Sequence, residues 1–182
     1  MNYYALGALA ILAGGAIAVL NRPESTVAPA STDLNNPVTP VGNIMETVKN
    51  ILEPRGIRNN NPLNIRWSAV NDWNGQTGQD SGGFVIFDKP ENGIRAAAKI
   101  LDSYQRRGIK TLGKIVTTWA PPIENNVEAY IAHMEKATGK NRDMVINKAS
   151  GDYVPLLAAM IKHENGKQPY SPALIAYGVS LS

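Results

Sequence analysis

The chain has 182 residues, of which 43% are hydrophobic, and 18 Lys and Arg against 15 Asp and Glu give a formal net charge of +3. This composition is typical of one globular domain with additional segments. The chain has no Cys and two His, which excludes a disulfide scaffold and cysteine-type zinc sites, so we expect no metal site and no cofactor. The basic excess is small and unclustered, and we expect no nucleic-acid partner.

The first segment is an uncharged apolar run, Tyr3–Leu20. Its length is close to that needed to cross a hydrocarbon core of about 30 Å. We predict a single-pass transmembrane anchor over residues 1–21, with the lipid membrane as a partner. A cleaved signal peptide is the alternative, but the basic leader that normally precedes its apolar stretch is missing.

Residues 22–43 are rich in Pro, Ser, Thr, Ala and Asn and have no hydrophobic periodicity. Such a composition is typical of a flexible linker. The compact domain is therefore predicted over residues 44–182.

Within the domain, Arg58–Trp67 reads RNNNPLNIRW, a segment dense in asparagine. Asn and Pro favour a loop, and the side-chain amides can mimic backbone turns or face a ligand. The short run Phe84–Phe87 predicts a strand, in a small hairpin that involves Ile65 and Trp67.

The rest of the chain contains residues that typically begin and end helices. Asp88 and Glu91 form an Asp-x-x-Glu capping box that opens a helix, and Gly108 closes it. Inward positions of this helix are Ile94, Ala97, Leu101 and Tyr104. Caps and breakers predict further helices from Thr111 to Trp119, from Asn125 or Asn126 to about Thr138, a short one from Asn141, and one from Asp152 to Gly166.

Glu164 stands where the last of these helices should be apolar, since it shares a face with Leu157, Met160 and Ile161. A carboxyl held against apolar side chains loses hydration, so its pKa rises and it becomes a natural general acid. The helix dipole in the last turn also favours the protonated form. The alternative is that Glu164 merely marks a solvated helix end.

The triplet Glu164, Asn165, Gly166 at a helix end is similar to the catalytic signature of lysozyme-like lytic transglycosylases and bacterial glucosaminidases. The segments NNNPLNIR and FVIFDKPENGIRAAAKIL resemble those that follow the catalytic helix in glucosaminidases. The stretch Arg55–Tyr170 further resembles phage and prophage virion proteins of the peptidoglycan-lytic type. The Glu helix comes last here and first in the glucosaminidases, so the resemblance implies a circular permutation, which is tolerable when chain termini lie close together.

The resemblance implies an α+β, mainly helical, lysozyme-like domain with a small β element, in which Glu164 is the single acid/base. In a lytic transglycosylase this group protonates the glycosidic oxygen and then removes a proton from the muramic acid 6-hydroxyl. A muramidase or glucosaminidase would need a second carboxylate about 5 to 9.5 Å away. The available acids for that role are Asp72, Asp80 and Asp88, while Glu91 and Glu53 are alternatives to Glu164 itself.

A glycan site needs planar stacking faces, amide donors and cations for acidic groups. Trp119 ends an apolar helical face and is expected in the core. The predicted substrate-binding residues are Asn59, Asn60, Asn61, Asn64, Arg58, Arg66, Trp67, Trp73 and Tyr170.

Together these features predict a membrane-anchored phage virion enzyme that cleaves the MurNAc-GlcNAc backbone of peptidoglycan for wall penetration or lysis. Hydrolysis or peptide-bond cleavage is the alternative within the enzyme class. The second hypothesis is a non-catalytic structural virion protein that binds glycan or neighbouring subunits, because fold alone does not guarantee activity.

Overall fold

A computed structural model describes Val48 and residues 52–120 and 126–182. The residues from Glu53 onward in this set belong to one compact unit. The predicted transmembrane segment Tyr3–Leu20 and the predicted linker, residues 22–43, lie outside the described residues.

The described elements follow one another from a short helix through a hairpin to a series of helices. In chain order they are α1 (Arg55–Arg58), β1 (Gln76–Gln79), β2 (Val85–Phe87), α2 (Pro90–Arg106), α3 (Leu112–Trp119), α4 (Val127–Thr138), a 3-10 turn (Lys148–Ser150), α5 (Tyr153–Asn165) and α6 (Pro172–Ser180).

The predicted fold class was an α+β, mainly helical, lysozyme-like domain with a small β element behind a transmembrane helix, and its α+β class is wrong. The described residues form a mainly helical domain with one two-stranded sheet. The strands have four and three residues, so they cannot form a layer that covers the helices. Within the described part of the chain, no helix is both long and apolar enough to cross a membrane.

The β element is an antiparallel hairpin in which Gln76 pairs with Phe87 and Gly78 with Ile86. Its second strand lies where the sequence predicted one, and its main partner is β1. The predicted pairing with the segment around Ile65 and Trp67 is also found, as an isolated antiparallel bridge between Arg66 and Phe84. Beside this bridge, the Val85 amide donates to the Ile65 carbonyl at 3.0 Å. We call residues 59–65 the asparagine loop.

Helix α2 is the central helix of the core. It buries Ile94, Ala97, Leu101 and Tyr104, as their spacing predicted. The predicted Asp88 capping box is not formed, because the N-cap is Lys89 and Pro90 occupies the first turn.

The remaining helices differ from the prediction at two places. The bounds of α3, α4 and α5 agree closely with the expected ones, and Asn126 caps α4 through its side chain. The short helix from Asn141 is absent among the described elements, and a 3-10 turn lies nearby instead. Helix α6 was not predicted, although Ser171 caps it by accepting from the Leu174 amide.

The asparagine loop packs directly on α2 at Gly93. A Cβ at this glycine would lie 2.1 Å from the Asn60 carbonyl oxygen and 3.0 Å from Pro62 Cδ. The first distance is far inside van der Waals contact, and backbone must move to relieve it. Gly93 therefore sets how closely the loop approaches the helix.

We predict that Gly93→Ala lowers the free energy of unfolding by at least about 2 kcal/mol, despite the higher helix propensity of Ala. Urea unfolding followed by circular dichroism measures this. Gly78→Ala is the matched control, since nothing lies within 4 Å of a Cβ there. Equal stability of the two variants would contradict the close approach.

Candidate active site

The asparagine loop is held to the hairpin by Asn61, which is buried. Its amide nitrogen donates to the carbonyls of Ile65 at 2.8 Å and Val85 at 2.9 Å, and its amide oxygen accepts from the Ile65 amide at 2.9 Å. Every polar atom of this side chain that could bind a ligand is used inside the fold.

Asn59 and Asn60 make similar connections to the hairpin. The Asn59 side chain donates to Asp80 Oδ2 at 2.8 Å. The Asn60 side chain donates to the carbonyls of Phe87 at 3.0 Å and Asp88 at 3.1 Å. These amides shape the loop, and glycan binding by Asn59, Asn60 and Asn61 stays a prediction that these contacts do not support.

Asn64 differs from the other three because its side chain crosses to α5. Its backbone is left-handed, with φ of 51°, a conformation that Asn tolerates better than most residues. The side-chain nitrogen donates to Glu164 Oε2 at 3.3 Å. The loop thus delivers one amide donor to the predicted catalytic carboxyl.

Asn165, the neighbour of that carboxyl, fastens the end of α5 to the same loop. It is buried, and its side-chain nitrogen donates to the carbonyls of Pro62 at 2.7 Å and Ile161 at 2.8 Å. Gly56 in α1 makes room for this side chain, since a Cβ there would lie 2.5 Å from Asn165 Oδ1. Gly166, with φ of 70°, then ends the helix.

Glu164 lies at this junction with its carboxyl partly buried. Leu157, Met160 and Ile161, which share its face, are fully buried, so the predicted apolar surroundings are found. Burial raises the pKa of Glu164 to about 7, although the hydrogen bonds from Asn64 and from the Tyr130 hydroxyl act in the opposite direction. Near neutral pH, about half of the molecules hold a protonated carboxyl.

The two carboxyl oxygens have different partners. Oε1 accepts from the Tyr130 hydroxyl at 3.1 Å, and burial keeps that hydroxyl protonated by raising the pKa of Tyr130 well above its usual value. Oε2 has the longer contact, 3.3 Å to Asn64. Each oxygen of the carboxyl therefore has one neutral donor beside it.

Tyr130 was not among the predicted site residues, and neither were His133 and His163. The His163 ring stacks on the Tyr130 ring with centroids 3.7 Å apart, and His163 Nδ1 lies 3.0 Å from His133 Nδ1. The apolar spacing of Tyr130, Ile131 and Met134 could have predicted that Tyr130 is buried. Nothing in the sequence pairs its hydroxyl with Glu164, because the two residues come from different helices.

Asp80, one of the acids considered as a second catalytic carboxylate, is engaged in the loop structure. It accepts from the amides of Gly82 and Phe84 and from Asn59, and Arg55 Nε lies 3.5 Å away. Burial acts to raise the pKa of Asp80, but these hydrogen bonds and the Arg55 charge hold it below its usual value.

The other predicted ligands are Arg58, Arg66, Trp67, Trp73 and Tyr170. Arg66 stacks its guanidinium on the Phe84 ring at 4.6 Å. Trp67 is 40% exposed, Arg58 is exposed in α1, and Trp73 and Tyr170 pack partly against the core. Glycan binding by these residues stays a prediction.

An open groove of about 420 Å³ lies between α3 and α4. Its lining includes Lys114, Thr117, Glu128 and Arg142, and Glu164 does not belong to it. This groove therefore does not contain the predicted acid. Among the residues described, no three His, Cys, Asp or Glu side chains come together as a metal site.

Comparison with known proteins relates this chain to a bacteriophage protein. No family model matches the chain. Over 121 residues it is 39% identical to Protein P5 of Pseudoalteromonas phage PM2, an alignment that covers 64% of this chain and 74% of that protein. The chain belongs to the same family as this phage protein.

Because the pKa of Glu164 is raised in the folded protein, its carboxyl should make the free energy of unfolding decrease as the pH rises. A carboxyl that binds its proton more tightly when folded adds stability below its usual pKa of 4.5, and that stability is lost as the pH rises through about 7. Between about pH 5 and about pH 8, wild type should lose about 2 kcal/mol more unfolding free energy than Glu164→Gln.

Urea unfolding at a series of pH values measures this difference. Asp143→Asn, at an exposed position, is the control and should keep the wild-type pH dependence. Parallel curves for wild type and Glu164→Gln would mean that the carboxyl is fully hydrated in the folded protein.

Proposed function

We propose, from the membership of this chain in a phage protein family and from the geometry around Glu164, that it cleaves the glycan strands of peptidoglycan. The enzyme would be of the lytic transglycosylase type, with Glu164 as its single acid/base. The observation that carries this proposal is a carboxyl with a pKa of about 7 whose hydrogen-bond donors, Tyr130 and Asn64, are both neutral.

The neutral donors support an acid/base role because they leave both protonation states accessible. A cation in contact with Glu164 would favour the carboxylate and lower its pKa. Two neutral donors stabilise the carboxylate modestly while burial opposes it, and the pKa falls near the working pH, where an acid/base catalyst is most efficient. Glu164 can therefore both give and take a proton.

In the proposed reaction, the proton on the Glu164 carboxyl goes to the glycosidic oxygen as the bond between the muramic acid C1 and that oxygen breaks. The leaving N-acetylglucosamine gains a hydroxyl. The Glu164 carboxylate then takes the proton from the muramic acid 6-hydroxyl, whose oxygen bonds to C1 and closes an anhydro ring. The carboxyl is restored, and no water is consumed.

A mechanism with one carboxyl also agrees with the positions of the other acids. Asp80 is engaged by the loop and hairpin, and Asp88 Oδ1 accepts from the Asn92 side chain at 2.7 Å. Asp72 is exposed on the loop before β1. The engagement of Asp80 and Asp88 in these hydrogen bonds favours a mechanism with one carboxyl.

The relationship to a phage protein is consistent with a location in the virion. We propose that the domain acts there on the host cell envelope, during wall penetration or at lysis. Other virion proteins are candidate partners for the remainder of the chain.

We predict that Glu164→Gln lowers the rate of murein clearing by at least about a hundredfold, because the amide cannot transfer a proton. A zymogram and a turbidity assay with purified murein measure this. Glu91→Gln, which alters the alternative acid at the start of α2, should retain wild-type clearing. If neither wild type nor Glu164→Gln clears murein, the structural role is supported. If both clear it equally, Glu164 is not the catalytic acid.

The products distinguish the two kinds of glycan cleavage. We predict that mass spectrometry of the released fragments finds 1,6-anhydromuramic acid ends, because the 6-hydroxyl and not water attacks C1. Reducing ends instead would support a hydrolase with a second carboxylate, and cleaved stem peptides would contradict glycan cleavage altogether.

The pH dependence of kcat/KM should follow the titration of the Glu164 carboxyl. Because Glu164 must carry its proton for the first step, kcat/KM should fall about tenfold per pH unit above a pKa of about 7. A pH profile on soluble glycan strands measures this. A fall that begins near pH 4.5, the usual value for a glutamic acid, would contradict the buried acid.

A further inference from the structure

The two histidines of the chain meet at the interface of α4 and α5. His133 Nδ1 and His163 Nδ1 are 3.0 Å apart, a normal distance for an N–H···N hydrogen bond. The ring centroids are 5.2 Å apart, so the two nitrogens lie between the rings and point almost directly at each other. One imidazole donates from Nδ1, and the other accepts at Nδ1.

The head-on arrangement decides between several uses of a histidine pair. Two imidazoles that bind one metal ion must aim their nitrogens at a common point beside the line that joins them, with about 2.0 Å to each nitrogen. These nitrogens aim at each other, so the geometry favours a shared proton over a metal ion.

The position of His163 also argues against a proton relay to Glu164. His163 presents the face of its ring to Tyr130, with an interplanar angle of 18° and centroids 3.7 Å apart. A ring face offers no route for a proton to the Tyr130 hydroxyl. The stacking contact can hold the Tyr130 ring in place, but it cannot pass a proton to it.

Four residues thus close a cycle across two helices. Tyr130 and His133 come from α4, and His163 and Glu164 are consecutive in α5. The Tyr130 hydroxyl donates to Glu164 Oε1 at 3.1 Å, the two histidines share a hydrogen bond, and the stacked rings join the two pairs.

We propose that His163, anchored by His133, is a positioning residue that holds Tyr130, and through it the carboxyl of Glu164, in place for proton transfer. This role rests on the proposed function, since it serves the same acid. Burial and the neighbouring His133 lower the pKa of His163, so the neutral ring that stacks on Tyr130 is favoured at neutral pH.

The kinetic test compares His163→Ala with His163→Phe, using kcat and KM on murein glycan strands. His163→Ala removes the stack and should lower kcat roughly three- to tenfold with unchanged KM, the range that one aromatic stack accounts for. His163→Phe keeps a stacking ring without Nδ1 and should restore most of kcat. His133→Ala should have a smaller effect than His163→Ala, because the His163 ring remains.

The matched control is Lys162→Ala, an exposed neighbour on α5 that should keep wild-type kcat and KM. Equal kcat for His163→Ala and this control would overturn the proposal. A loss in His163→Ala that His163→Phe does not reverse would also overturn it, since stacking would then not be the cause. Thermal unfolding of each variant identifies any loss that comes from misfolding.

An NMR measurement separates this proposal from the proposed function. In wild type, the imidazole ¹⁵N spectrum should contain one protonated and one unprotonated Nδ1 coupled across a hydrogen bond, and His133→Ala should abolish the coupling. The hydroxyl proton of Tyr130 should lose its protection from solvent exchange in His163→Ala.

If wild type fails to cleave murein but these signals behave as described, the proposed function fails and the positioning contact stands. Absence of the coupling in wild type, or an unchanged Tyr130 hydroxyl in His163→Ala, would overturn the positioning role.

Discussion

The carbonyl oxygen of Pro62 accepts a hydrogen bond from the Asn165 side chain at 2.7 Å, and this contact joins the asparagine loop to the end of α5. Both groups are buried, so breaking the bond would leave a polar atom without a partner away from water. On the other side of the loop, Asn61 fixes the same segment to β2. The position of Glu164, one residue before Asn165, follows from these two attachments.

This arrangement explains how a mainly helical domain holds a partly buried acid between two neutral hydrogen-bond donors. Helix α5 supplies an apolar face, the asparagine loop supplies the amide of Asn64, and α4 supplies the hydroxyl of Tyr130. Three separate parts of the chain meet at one carboxyl. Desolvation outweighs the two neutral hydrogen bonds, and the net effect raises the pKa of Glu164 to about 7.

The sequence predicted the elements with strong local signals and missed contacts between distant segments. The apolar spacing on α2 and α5 identified their buried faces, because a period of 3.6 residues is a local property. The roles of Asn59, Asn60 and Asn61 could not be predicted in this way, since an amide that binds backbone and one that binds a ligand have the same sequence signal.

The cycle of Tyr130, His133, His163 and Glu164 depends on how two helices pack, which no pattern within a single segment encodes. Helix α6 lacks a clear amphipathic period, and β1 is a polar strand of four residues, so both were missed.

Burial should hold the carboxyl of Glu164 near the midpoint of its titration at neutral pH. Titration of its side-chain ¹³C resonance in the folded protein, assigned with Glu164→Gln, measures this. We expect an inflection at about pH 7. An inflection near 4.5, the value for a hydrated glutamic acid, would contradict it and would remove the physical basis for an acid/base at this position.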